Sequence, residues 1–62
     1  MNYTDLGRRI REERQKLNLT QEKLAEAINV STAYIGQIER GRRCPTLDTL
    51  ICIANTLGVS ID

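Results

Sequence analysis

Apolar residues recur along this chain at helical spacing, and residues that start or stop helices bracket each stretch that carries them. Leu24, Ala25 and Ile28 fall at i, i+1 and i+4, on one side of a short helix over about Gln21 to Ile28, with Thr20 ahead of it as N-cap. Val30, Ile35 and Ile38 supply the apolar positions of a second, about Thr32 to Arg40, capped by Ser31 and ended by Gly41. Asn29 stands between the two, and Asn ranks just behind Gly in tolerating the positive φ of a sharp turn. Upstream, Leu6, Ile10 and Leu17 share a face of a helix that begins after Thr4 as N-cap, holds Asp5 in its first turn, and ends near Asn18, with Gly7 weakening it slightly. Downstream of the loop GRRCP, Thr46 caps a fourth helix in which Leu47, Leu50, Ile53, Ala54 and Leu57 form a broad apolar face before Gly58 stops it. Ser60 reads as the cap of a fifth helix that starts at Ile61.

The stretch QEKLAEAINVSTAYIGQIER therefore reads as two short helices joined by a tight turn, the helix-turn-helix unit, with small Ala25 where the second helix crosses closely. On a helical wheel Ile35 and Ile38 point inward, which turns Ala33, Gly36, Gln37 and Arg40 outward and leaves Thr32 at the N-terminal tip. Such a face suits base edges in a DNA groove. Gln makes bidentate contact with adenine, Thr donates, accepts or sets its methyl against thymine, and Ala makes apolar contact only. Thr32, Ala33 and Gln37 are the candidate base readers. Gly36 costs up to about 1 kcal/mol in a helix interior relative to Ala, which calls for close approach to DNA or tight packing against a neighbouring helix.

Gln21 lies in the first turn of its helix, where free backbone N–H groups and the positive dipole end form a site for a DNA phosphate. Arg40, Arg42 and Arg43, clustered just after the third helix, are candidate backbone clamps, joined by Ser31 and by the Tyr34 hydroxyl, whose alternative duty is packing at the core's edge. Glu39 follows the inward Ile38 and needs a partner; Arg14, four residues after Ile10, is the candidate for a structural ion pair locking the first helix to the third.

With 62 residues the chain makes one domain, 1–62, with a small core; its two aromatics are both Tyr, so that core is aliphatic. The net charge of +1 conceals an uneven distribution: Arg8, Arg9, Arg11, Arg14 and Lys16 crowd the first segment, and Arg40, Arg42 and Arg43 the loop. Cys44 and Cys52, without any His, suggest neither a disulfide framework nor a metal site, and nothing implies a cofactor. No nucleophile–base pairing is suggested either, so a catalytic reading lacks its parts. No apolar run approaches the roughly 20 residues of a membrane span and the N-terminus lacks a signal peptide's apolar core, which points to the cytoplasm. Cys52 and Ile51, outside the main apolar stripe of the fourth helix, mark a candidate association surface.

LTQEKLAEAINVSTAYIGQIERG followed by PTLDTLICIANTLGVSID resembles the Cro/phage-repressor type of helix-turn-helix, the XRE family of bacterial and phage regulators. The resemblance covers nearly the whole chain and rests on TQ, LA, the inward Ile35 and Ile38, IE-x-G and P-T-L-x-T-L-x-x-I-A. It implies an all-α, compact four- to five-helix bundle of the lambda-repressor-like kind that binds double-stranded DNA, usually as a homodimer on a palindromic operator, and regulates transcription. Carried onto this chain, it matches base readers to Thr32, Ala33 and Gln37, a backbone position to Gln21, and the interhelical ion pair to Arg14 and Glu39. Asn29 departs from the family's common Gly. The expectation is a sequence-specific transcriptional regulator, most simply a repressor. The alternatives are an antitoxin or other protein-interaction module whose main partner is another protein, and an adaptor without base readout.

Overall fold

A computed structural model describes residues 2–59, which form four α-helices and no strand: α1 (Tyr3–Lys16), α2 (Gln21–Ile28), α3 (Thr32–Glu39) and α4 (Leu47–Leu57). Each helix starts on a side chain that satisfies an otherwise orphan backbone donor. The hydroxyls of Thr20, Ser31 and Thr46 accept from the N–H groups of Lys23, Tyr34 and Thr49. The stops are equally local: Asn29, Gly41 and Gly58 sit in left-handed backbone at φ of 61°, 74° and 71°.

α3 is central. It packs against α2 on one side and α1 on the other, and α4 closes the bundle over α2 and α1. Ile10, Leu24, Ala25, Ile35, Ile38, Ile53 and Leu57 form one buried cluster to which every helix contributes, edged by Leu6, Leu19, Ile28, Val30, Tyr34, Leu50 and Val59. Burying an aliphatic side chain of this size is worth about 1.5–3 kcal/mol, so the cluster supplies most of the driving force for a domain this small.

Four expectations are corrected. α1 starts one turn's fraction earlier than Thr4 allows, because Asn2 is its N-cap and accepts from the Asp5 N–H at 2.7 Å. Leu17 does not face the core. It is the C-cap, 48% exposed, and Asn18 (φ 57°) swings the chain so that Leu19 reaches the core's edge instead. Leu47 likewise leaves the apolar face of α4, at 67% exposure, because it occupies the first turn, ahead of the part of α4 that the other helices cover. α3 ends at Glu39, with Arg40 as its C-cap rather than its last residue. The fifth helix expected from Ser60 lies outside the described residues.

Gly7 carries more than a small helix penalty. It is buried where α1 crosses α3, and a Cβ there would collide with the Ile38 carbonyl oxygen and stand 2.7 Å from that of Glu39. The absent side chain is what lets the two backbones approach.

Candidate nucleic-acid interface

The turn between α2 and α3 is fixed by three residues in a row. Asn29 takes φ 61°, ψ 47°, and the Val30 N–H closes back on the Ala25 carbonyl at 3.0 Å, capping α2. Ser31 then returns to extended backbone and caps α3 through its Oγ, 3.1 Å from the Tyr34 nitrogen. Ala25, 2% exposed, is buried against the core beside Leu24. With Ile35 and Ile38 anchored in the core, the opposite side of α3 is turned to solvent: Thr32 and Ala33 are exposed, and Gln37 is partly so.

Gly36, one turn after Thr32, is covered by Arg40, which folds back along the helix. The three atoms nearest a Cβ built on Gly36 all belong to this guanidinium, the closest at 3.0 Å. What an added side chain would press on first is therefore Arg40 rather than a neighbouring helix. The bareness of Gly36 gives Arg40 room to lie along the outward face of α3.

Beneath that face, the Arg14–Glu39 pair joins α1 to α3. Arg14 donates from Nε to Glu39 Oε2 at 2.7 Å and from Nη2 to Oε1 at 3.0 Å, a bidentate fork, while its Nη1 donates to the Leu19 carbonyl at 2.7 Å. Both residues are buried, at 8% and 7% exposure, and no buried polar side-chain atom among the described residues lacks a partner. Gln21 is the third member: its Nε2 donates to Glu39 Oε1 at 3.0 Å. Its side chain thus turns toward α3 and helps hold the carboxylate, leaving the backbone N–H groups at the tip of α2 as the groups available to an anion. One hydrogen-bonded cluster ties α1, α2 and α3 together at the base of the outward helix.

On α1, Arg8 pairs with Asp5, and Arg9 and Lys16 both reach Glu13, whose carboxyl is held below its ordinary range chiefly by the Lys16 hydrogen bond, with Arg9 assisting. Within α1 three of the five cations of the first segment are thus paired, Arg14 is paired with Glu39 of α3, and Arg11 forms no ion pair among the described residues. Arg40, Arg42 and Arg43 are exposed and form no ion pair among the described residues. The loop that carries them is tied to the end of α3 by Gly41 N–H to Ile38 O at 3.0 Å and Arg42 N–H to Gln37 O at 2.9 Å. Tyr34 lies between core and loop, partly buried, with the Arg43 guanidinium 5.3 Å from its ring centre. Unneutralised cations therefore border the outward face of α3.

Comparison with known proteins matches the helix-turn-helix family over residues 10–62. This chain belongs to the helix-turn-helix family, of the Cro/phage-repressor type. Among relatives of this helix-turn-helix chain, the immunity repressor protein of Bacillus phage phi105 is 43% identical over 56 residues, covering 90% of this chain and 39% of the repressor. The HTH-type transcriptional regulator ImmR of Bacillus subtilis is 40% identical over 57 residues, covering 92% of this chain and 45% of ImmR. The chain thus spans less than half the length of these two relatives. Among solved structures, the restriction-modification controller protein C.AhdI of Aeromonas hydrophila superposes with a TM-score of 0.89 at 33% identity, covering 94% of this chain and 88% of the controller.

Among the described residues no helix is long and apolar enough to cross a membrane, and no group of three metal-ligating side chains comes together. Gln21's bond to Glu39 and the stacking of Arg43 on Tyr34 escaped sequence reasoning. The first joins α2 to α3 through the docking of those helices and the second depends on how the loop after α3 turns back along its own helix, and no local pattern signals either.

Proposed function

We propose that this helix-turn-helix domain binds double-stranded DNA in a sequence-specific way and acts in the cytoplasm as a transcriptional regulator, most simply a repressor. The observation that carries this reading is the outward face of α3, where Thr32 and Ala33 are exposed and Gln37 partly so, beside arginines that form no ion pair among the described residues. Inserted in the major groove, those three side chains contact base edges. The backbone N–H groups at the tip of α2 and the end of α3 near Ser31, together with Arg40, Arg42 and Arg43, hold phosphates on either side. The names of the relatives, an immunity repressor and a transcriptional regulator, support the regulatory role.

A recognition helix of two turns reads only a few base pairs, which favours a homodimer on a palindromic operator, with the two α3 helices about 34–36 Å apart. Ile51 and Cys52, the association surface expected from the sequence, are both exposed. Ile53, Ala54 and Leu57 are spent on this chain's own core, so Ile51, with Leu47 one turn before it, is the exposed apolar surface α4 has to offer. Selection of bound duplexes from a random-sequence pool tests the reading. A recovered two-fold symmetric motif supports it, and a pool recovered without sequence preference overturns it.

A further inference from the structure

The two arginines at the start of the α3–α4 loop are alike in sequence but not in surroundings. Arg43 lies over the face of Tyr34, 5.3 Å from the ring centre, within the range at which a guanidinium is drawn to an aromatic quadrupole. Tyr34 is a firm platform. It sits in the first turn of α3, its N–H is held by the Ser31 hydroxyl at 3.1 Å, and its ring packs against the core cluster. Arg42 has a fixed backbone, through its N–H to Gln37 O at 2.9 Å, but no ion pair or ring contact for its side chain among the described residues.

We infer that Tyr34 is a positioning residue for phosphate binding: its ring holds the Arg43 guanidinium against the flank of α3, so that Arg43 meets a DNA phosphate already oriented, whereas Arg42 must be ordered on binding. This rests on the DNA-binding reading above. Ordering a long side chain costs part of what its phosphate contact returns, and an arginine already held gives up less on binding. Stacking leaves the guanidinium N–H groups at the ring's rim free to donate, so the aromatic contact and a phosphate contact are compatible. The tyrosine hydroxyl is not needed for this role.

The test is the cost of Arg43→Ala in three backgrounds, read as binding to a fluorescent random-sequence duplex across a range of salt concentrations. A phosphate contact acts on any sequence, so no operator is required. In the parent and in Tyr34→Phe, Arg43→Ala should weaken binding to the same degree and lower the log–log salt slope by about one. In Tyr34→Leu, that cost should shrink on the order of two- to fivefold, the size of an exposed cation–π pair. The cost of Arg42→Ala should be the same in all three. In the free protein, NMR should place the Arg43 side-chain protons upfield in the parent and in Tyr34→Phe, and at ordinary shifts in Tyr34→Leu. An Arg43→Ala cost that is unchanged in Tyr34→Leu, or one that already falls in Tyr34→Phe, overturns the inference while leaving DNA binding intact. A parent protein that binds no duplex defeats the functional reading and the inference with it.

Discussion

Gly7 of α1 lies flat against the Ile38 carbonyl of α3, so close that no side chain fits between the two helices. Gly7→Ala should therefore reverse the usual helix-propensity gain and destabilise the fold by about 1–3 kcal/mol, because the obstacle is backbone and cannot swing aside. Gly36→Ala is the control. Its Cβ first meets the far end of the Arg40 side chain, so it should gain up to about 1 kcal/mol. In a domain of this size each kcal/mol shifts Tm by roughly 4–8 °C, and thermal unfolding should move the two variants in opposite directions. A Gly7→Ala protein melting at or above the parent would show that α1 has room to withdraw.

Glu39→Ala should cost about 3–5 kcal/mol by stranding the buried Arg14 guanidinium, whose Nε and Nη2 both lose their acceptor. Gln21→Ala removes one donor from the same carboxylate at a partly exposed position that water can refill, so about 1–2 kcal/mol is expected. Denaturant titration of both variants checks the order. Glu39→Ala unfolding at the parent's midpoint would mean that the pair contributes no net stability.

What was legible in the sequence is what local chemistry decides. Thr20, Ser31 and Thr46 cap helices because their hydroxyls reach a backbone N–H three residues on, and Asn29, Gly41 and Gly58 stop them because they tolerate positive φ. The start of α1 slipped because Asn2 and Thr4 are both competent caps, and the bond that chose between them is made by Asn2. Periodicity gave the apolar stripes without saying how far along each helix its neighbours extend, which is why Leu17 and Leu47 were expected in the core and lie at exposed ends. The close approach at Gly7 and the Gln21 bond to Glu39 exist only once helices dock, and the Arg43 contact with Tyr34 only once the loop turns back along α3; residue types at fixed spacing carry no record of them.

Assembly on DNA should depend on Leu47 and Ile51. Replacing both with Ser should leave one copy binding a half-site as the parent does and weaken cooperative binding of two copies to a full palindromic site by about tenfold, or roughly 1.4 kcal/mol. Sedimentation with half-site and full-site duplexes reads both quantities. Unaltered cooperativity would remove this face of α4 from the dimer, and tight binding of a single copy to a full site would remove the dimer itself.

On the proposed reading, the outward face of α3 reads bases while the surrounding arginines hold the backbone. Its most direct test is the affinity of Gln37→Ala and Thr32→Ala for the selected site and, in parallel, for random-sequence duplex at the same salt concentration. A loss of about 1–3 kcal/mol is expected for each variant on the selected site, with little change on random DNA. Equal losses on both duplexes, or none on the selected one, would contradict it.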